Sequence, residues 1–348
     1  MSNSNQPRMK ALKYILFLLL ILFIGLAIYI AVQPNSFEVE RSRTINAPSE
    51  VIYNNVIDFE NWETWNSWKE ENPDIKIMLP EKTEGIGGSY TWEEDGETGV
   101  MRTIDSKPFT SITQEMQFGD YPKSDVIWTF TPNGDGTTKV SWKISGSDLP
   151  FMFKAYLAFM GGMEKQIGPQ YERSLELLDQ QIQKDITAYN IKIDGITEYG
   201  GGFYMYKTTS ANNANISQIM AKQYAEILSY MGSNNIQQAG MPFTIYEEMN
   251  AENGSILMSQ AIPVANKVIV TGSSQVLCGF IPKTRALKTT LTGNYSNLQE
   301  AWSATMNYIA QNNLEQSELK PFEIYQNDPG EVANPANWIT EIYVPIKE

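Results

Sequence analysis

Hydrophobic and polar positions change their pattern three times along this chain. Tyr14 to Val32, YILFLLLILFIGLAIYIAV, is 19 residues without a charge. As a helix it would extend roughly 28 Å at ~1.5 Å per residue, close to the thickness of a bilayer's hydrocarbon layer. From Phe37 the texture turns strand-like. FEVERSRTINAP alternates, Pro48-Ser49 opens a helix over SEVIYNNVIDF, and short runs follow, broken by turns: GIGGSYTWEEDGETGVMRTI, SITQEMQF, DVIWTFTPNGDGTTKVSWKIS. The NGDG at 133–136 between apolar runs predicts a hairpin. Then Met163, Ile167, Tyr171, Leu175, Leu178 and Ile182 mark one helical face, which Gly168-Pro169 should kink or start.

The third pattern is a repeat. Pro242-Phe243-x-Ile245-Tyr246 returns as Pro321-Phe322-x-Ile324-Tyr325, an offset of 79. Asn215-x-Ser217-x-Ile219 returns as Asn294-x-Ser296-x-Leu298 at the same offset, and Ile262-Pro263-Val264 returns as Val344-Pro345-Ile346 at 82. Each copy reads strand-strand-helix-strand-strand, with helices over AKQYAEILSYM and LQEAWSATMNYIA. Duplicated halves of this kind usually pair about a pseudo-twofold axis, with a shared groove as a natural ligand site. Gly200-Gly201-Gly202 lies between two strands and reads as a turn, not a phosphate-binding loop.

These patterns predict an α+β chain: an N-terminal segment, 1–35, with a transmembrane helix at about 12–32; a first domain, 36–185; and a second, 186–348, with halves at about 190–264 and 276–346. Arg8, Lys10 and Lys13 precede the apolar run, whereas Glu38 and Glu40 dilute Arg41 and Arg43 after it. The positive-inside rule places the N-terminus in the cytoplasm and the folded part outside. Tyr29-Ile30-Ala31 makes a poor cleavage site, so an uncleaved anchor is favoured over a signal peptide.

Composition narrows the chemistry. The 348 residues contain no histidine, which removes the commonest general base and the commonest metal ligand. The single cysteine, Cys278, sits in the run VLCGFI and reads as a small core residue. No metal and no cofactor is expected. The net charge of −14 divides as +3 over residues 1–35, −12 over 36–185 and −5 over 186–348. Without a basic stripe, nucleic acid is a poor candidate partner. Trp62, Trp65 and Trp68 at three-residue spacing could clamp a ligand, but core packing is the simpler reading. Parity leaves open which of Tyr90, Trp92, Trp128 and Trp142 look inward.

Two resemblances cover most of the chain. The strand followed by APSEVIYNNVIDFENWETWNSW, then GIGGSYTW, ETGVM, GTTKVSW and the closing helix, resembles the polyketide cyclase/dehydrase branch of the START-like (SRPBCC) superfamily. This implies a helix-grip fold: a curved antiparallel sheet holding a C-terminal helix, with an elongated apolar cavity for a lipid-like ligand. In the second half, GNYSNLQEAW, then PFEIYQNDP, then WITEIYVPI resembles the GyrI-like, or AraC-type effector-binding, domain. Such domains bind small, often cationic or amphipathic aromatic molecules between their halves, with a glutamate of the last strand facing an aromatic pocket.

Carried onto this chain, that glutamate is Glu341 and its strand aromatic is Tyr343. Ser259, at an offset of 82, stands where the first half often has a carboxylate. On a strand Glu341 and Tyr343 point one way and Ile342 and Val344 the other. The apolar pair should face the helices. Tyr246 and Tyr325 are expected opposite Phe243/Ile245 and Phe322/Ile324, in the groove with Glu341, and Trp338 and Tyr295 complete the expected ligand-binding set. A solvated edge residue is the plain alternative for Glu341.

No catalytic constellation is evident, and no stretch is left for the helix-turn-helix that accompanies this domain in known regulators. The leading expectation is a membrane-anchored protein that binds hydrophobic or amphipathic small molecules. The alternative is a hydrolase or cyclase-type enzyme using Glu341 as acid/base; a third reading is docking of a partner on the acidic first domain.

Overall fold

The computed structural model describes all residues except 1–5, 95, 213, 251–253, 272–273, 328 and 348. The chain separates into two compact units, Met1–Gln183 and Lys184–Glu348.

The first unit opens with helix α1 (Gln6–Ala31), within which Ala11–Ala31 is long and apolar enough to cross a membrane. Strand β1 (Ser36–Ile45) follows, then α2 (Ser49–Ile57), a 3-10 turn over Phe59–Thr64 and α3 (Ser67–Glu71). Asn66 caps α3 by accepting from the Trp68 and Lys69 amides. A meander comes next: β2 (Lys76–Met78), β3 (Ser89–Glu94), β4 (Glu97–Lys107), β5 (Ser111–Phe118), β6 (Ser124–Pro132) and β7 (Thr138–Ser147). These strands lie side by side in chain order, and β1 closes the sheet beside β7, all antiparallel. The NGDG turn joins β6 to β7, with Gly134 and Gly136 at φ of 77° and 88°.

Helices α4 (Phe151–Met160) and α5 (Met163–Thr187) complete the unit. Helix α5 runs through Pro169 rather than starting there. Its buried face includes Tyr171, Leu175, Leu178 and Ile182, and the Tyr171 ring stacks 3.6 Å from that of Trp142 on β7. A Cβ on Gly168 would meet the Arg41 guanidinium, the end of a flexible side chain that would have to shift.

The second unit is one eight-stranded sheet with two helices. Its elements are β8 (Asn190–Tyr199), β9 (Gly202–Asn212), α6 (Ile216–Ser233), β10 (Phe243–Asn250) and β11 (Ser255–Val264). Then come β12 (Leu277–Ile281), β13 (Thr284–Thr292), α7 (Leu298–Gln311), β14 (Phe322–Tyr325) and β15 (Ile339–Pro345). The strand order is β12-β9-β11-β10-β14-β15-β13-β8. The copies exchange their first strands: β8 pairs with β13, and β12 pairs with β9.

Strand β8 therefore sits at the far edge from β9, although only Gly200 and Gly201 separate them in the chain. Two residues cannot span a flat sheet of that width, so the sheet must curl. Tyr199 of β8 and Tyr204 of β9 accordingly pack into one cluster with Phe243, Ile245, Phe322, Ile324 and Tyr343. The opposite face carries the helices. Ile227 and Met231 of α6 pack on Met205, Ile262 and Val264, and Ala301 and Ile309 of α7 pack on Leu287, Leu291, Ile342 and Val344. Cys278, expected in the core, is only half-buried at its edge, accepting from the Val268 amide. The middle strands are thus buried on both faces, which removes the polar alternation that would mark them as half-exposed.

Candidate functional site

The antiparallel register decides which candidate residues meet. In the β14–β15 pair, Phe322 lies opposite Tyr343, Ile324 opposite Glu341 and Glu323 opposite Ile342. Directly paired side chains share a face. Ile342 and Val344 do face the helices, as their strand's alternation predicts. Phe322 and Ile324, however, lie with Glu341 and Tyr343 on the curled face. Tyr246 and Tyr325 therefore do not join Glu341: they lie on the helix side. Alternation within a strand fixes relative orientation only; the phase between strands comes from pairing, which a single strand does not reveal.

On the helix side, Tyr246 and Tyr325 surround a carboxylate the sequence reading passed over. Glu323 of β14 is 1% exposed. Tyr325 donates to its Oε2 at 2.9 Å, Trp302 of α7 donates its indole N–H to Oε1, and the Tyr246 hydroxyl is a third donor. Thr244 of β10 lies directly across the strand pair, and its hydroxyl is 3.1 Å from that of Tyr325 and 3.0 Å from that of Tyr224 on α6. Tyr295 packs 5.6 Å from the Tyr325 ring and 4.8 Å from that of Trp338. Four of the six expected residues, Tyr246, Tyr325, Tyr295 and Trp338, thus gather here with Trp302 and Tyr224.

Among the described residues no lysine or arginine pairs with Glu323. All three of its donors are neutral. Burial pushes its pKa up, and the bonds from Trp302, Tyr246 and Tyr325 pull the other way without cancelling it. Burial and the neighbouring carboxylate also push the Tyr246 and Tyr325 hydroxyls well up, so they stay protonated donors at neutral pH.

Glu341 has the opposite environment. Lys288 of β13 binds its Oε1 at 2.6 Å, while Gln326 and the Tyr343 hydroxyl donate to Oε2 at 2.7 and 2.9 Å. The Lys288 ammonium also lies 5.8 Å from the Tyr343 ring centroid. Glu341 is neither a solvated edge residue nor a free charge. Its counterpart Ser259 bonds Thr208 at 2.8 Å and Glu247 at 2.9 Å.

The first unit holds a cavity of about 480 Å³ between its sheet and α5. Tyr90, Trp92 and Trp142 line it from the strands, and Trp62, Trp65 and Trp68 line it from the 3-10 turn and α3. Trp62 and Trp65 are both core and wall: their rings pack at 4.8 Å, and each meets Trp128 and Trp142 edge-on, whereas Trp68 is half-buried and meets Trp142 and Tyr171. Parity leaves this open because most of these rings touch one another as well as the cavity.

Residues 36–183 match the family described as polyketide cyclase / dehydrase and lipid transport, and residues 203–347 match the GyrI-like small molecule binding domain. No curated protein matches the chain. Among solved structures, the C-terminal domain of EcmrR is 16% identical over 47% of this chain and 99% of its own, with a TM-score of 0.38. A complex of EcmrR with DNA is 16% identical over 63% of this chain and 89% of its own, with a TM-score of 0.41. A START superfamily protein from Mycobacterium smegmatis is 18% identical over 42% of this chain and 97% of its own, with a TM-score of 0.32. By its two family matches, this chain carries a START-like polyketide cyclase/dehydrase domain followed by a GyrI-like small-molecule-binding domain.

Proposed function

We propose that this is a membrane-anchored small-molecule-binding protein. In this reading α1 crosses the bilayer with its N-terminus in the cytoplasm, and both units lie on the outer side. The first unit takes an apolar, lipid-like ligand in its aromatic cavity. The second takes a cationic aromatic molecule at Glu323, where β14 pairs with β10. With a net charge of −14, small molecules and lipids suit the chain better than nucleic acid does.

The observation that carries the second-unit assignment is a buried carboxylate with no cationic partner among the described residues, surrounded by Trp302, Tyr246, Tyr325 and Tyr224. A buried charge without a counter-ion costs stability, and perturbed groups of this kind cluster at functional sites. An organic cation would supply the missing charge, and each aromatic face it meets would add roughly 0.5–2 kcal/mol. Access requires movement of the half-buried Tyr295, Trp302 and Trp338 that close the cluster. Glu341, already paired with Lys288, would have to lose that partner before accepting a ligand cation.

The raised pKa of Glu323 is also what an acid/base catalyst needs, and it favours Glu323 over Glu341 in an enzymatic reading. The two readings part on one experiment. Phenyltrimethylammonium and a panel of reactive aromatic esters and epoxides are incubated with the detergent-solubilised chain, and the small molecules are then recovered by mass spectrometry. Saturable binding with recovery unchanged supports a binding protein, and loss of a panel compound that stops in Glu323→Gln would replace it with the enzyme. No saturable binding of the cation would remove the second-unit assignment.

A further inference from the structure

Helix α4 has no buried residue. Phe153 and Tyr156 line the cavity of the first unit, Tyr156 while 44% exposed, and Phe151, Met152, Phe159 and Met160 are exposed as well. Met152 is 75% and Phe159 68% exposed. In FMFKAYLAFM the only charge is Lys154. A contiguous apolar face of this kind on a folded unit calls for a cover.

Its place in the fold says what the cover is. Strands β1 and β7 pair from Ser36↔Ser147 to Ile45↔Thr138, so the chain leaving α1 and the chain entering α4 emerge at the same end of the sheet. There the Leu149 amide donates to the Asn35 carbonyl at 3.3 Å, and the Asn35 side chain donates to Asp148 at 3.4 Å. Helix α4 also lies in contact with α1. Wherever α1 leaves a bilayer, α4 begins beside that point. Its composition of Phe, Met, Leu, Ala and Tyr with one lysine suits the boundary between headgroups and acyl chains.

The cavity reaches the same end of the sheet. Phe37 at the start of β1, Tyr121 before β6, Leu149, and Phe153 and Tyr156 of α4 all line it. Phe153 packs against Tyr121 at 5.1 Å and Phe37 at 6.4 Å. At the far end of α4, Gly161 and Gly162 are both left-handed, with φ of 89° and 87°, where residues with side chains would be strained. This break ends α4 and lets α5 return along the sheet.

We propose that α4 is seated in the bilayer beside α1, so that the START-like cavity opens against the membrane and draws its ligand, a lipid with an apolar chain, from it. The proposal rests on α1 being a membrane anchor, and its test separates the two claims. In the full-length chain Cys278→Ser removes the only cysteine. Single cysteines are then placed at Leu20 in α1, at Met152 and Phe159 in α4, and at Asn133 in the β6–β7 turn. Asn133 lies at the other end of β7, roughly 30 Å away at ~3.3 Å per residue.

Each variant carries an environment-sensitive fluorophore and is reconstituted in vesicles of phosphatidylcholine with a minority of phosphatidylglycerol, with and without lipid bearing a nitroxide on its acyl chain. Labels at Leu20, Met152 and Phe159 should be blue-shifted and lose most of their intensity to the nitroxide, while that at Asn133 should do neither. Quenching at Leu20 with Met152 and Phe159 behaving like Asn133 would leave the anchor standing and overturn the role of α4. Blue-shifted Met152 and Phe159 labels that the nitroxide does not quench would mean that a second copy covers the helix, which also overturns the proposal. An unquenched Leu20 would remove the anchor and the proposal together.

Discussion

Glu323 and Thr244 lie directly opposite each other where β14 pairs with β10. They occupy the variable position of the repeat Pro-Phe-x-Ile-Tyr, so the two strands at the centre of the sheet differ here and are otherwise identical over five residues. Thr244 shares its hydrogen bonds with Tyr325 and Tyr224, whereas Glu323 places one carboxylate, not two, at this centre. A second carboxylate in so close a pair would repel the first. Among the described residues, the asymmetry leaves one buried carboxylate at the centre of this sheet.

That charge should be visible in the stability of the ligand-free protein. The folded-state pKa of Glu323 stands above its ordinary 4.5, so the folded state binds more protons than the unfolded one between those values. Its contribution to stability therefore falls as pH rises above about 4.5, and it levels off once the raised pKa is passed. Glu323→Gln keeps the shape and loses the titration. At pH 7 it should raise the melting temperature of the second unit by about 2–4 °C, roughly 1 kcal/mol, and the gain should vanish near pH 4. A loss of stability at pH 7 would mean that its three donors outweigh its desolvation.

Glu341 should behave as a structural residue. Its side chain and that of Lys288 are 14% and 24% exposed, and they pair at 2.6 Å. Glu341→Gln or Lys288→Met leaves one charge in that partly buried place without its partner, which should cost about 1–3 kcal/mol. The double variant should recover part of the loss, as measured by denaturant unfolding. Additive losses would mean that the pair contributes no coupling.

Much of the architecture was legible because it follows from local pattern. The uncharged run of α1, the NGDG turn and the one-faced periodicity of α5 report structure that is local along the chain, and the offset of 79 reports a repeat readable without any pairing. The candidate site was less legible because it depends on pairing. Glu341 and Tyr343 were correctly placed on one face and Ile342 and Val344 on the other, but the face shared with Tyr246 and Tyr325 depends on register. The pairing of β8 with β13 was equally hidden, since Gly200-Gly201-Gly202 looks like a hairpin turn and instead joins the two ends of a curled sheet. One signal for Glu323 was present. It is the sole charge in PFEIY, at the one position where the copies disagree.

The cavity of the first unit gives a prediction of its own. Met116 on β5 lines it and is half-buried. Met116→Trp should fill part of the ~480 Å³ space and weaken binding of cis-parinaric acid, a fluorescent fatty acid, by roughly tenfold or more, about 1.4 kcal/mol. Thr131→Trp, on an exposed position of β6, should leave it unchanged. Equal binding in all three proteins would place the fatty acid outside the cavity.

One set of calorimetric titrations tests whether Glu323, and not Glu341, recognises an organic cation. Phenyltrimethylammonium and its neutral counterpart tert-butylbenzene have the same shape and differ in charge. They are titrated into the solubilised wild-type chain, Glu323→Gln and Glu341→Gln. The cation should bind Glu323→Gln at least about tenfold more weakly than wild type, a loss of ~1.4 kcal/mol, and tert-butylbenzene should bind both alike. Glu341→Gln should keep the wild-type affinity for both. Undiminished cation binding in Glu323→Gln, with the loss appearing in Glu341→Gln, would move the site to the curled face and contradict the assignment.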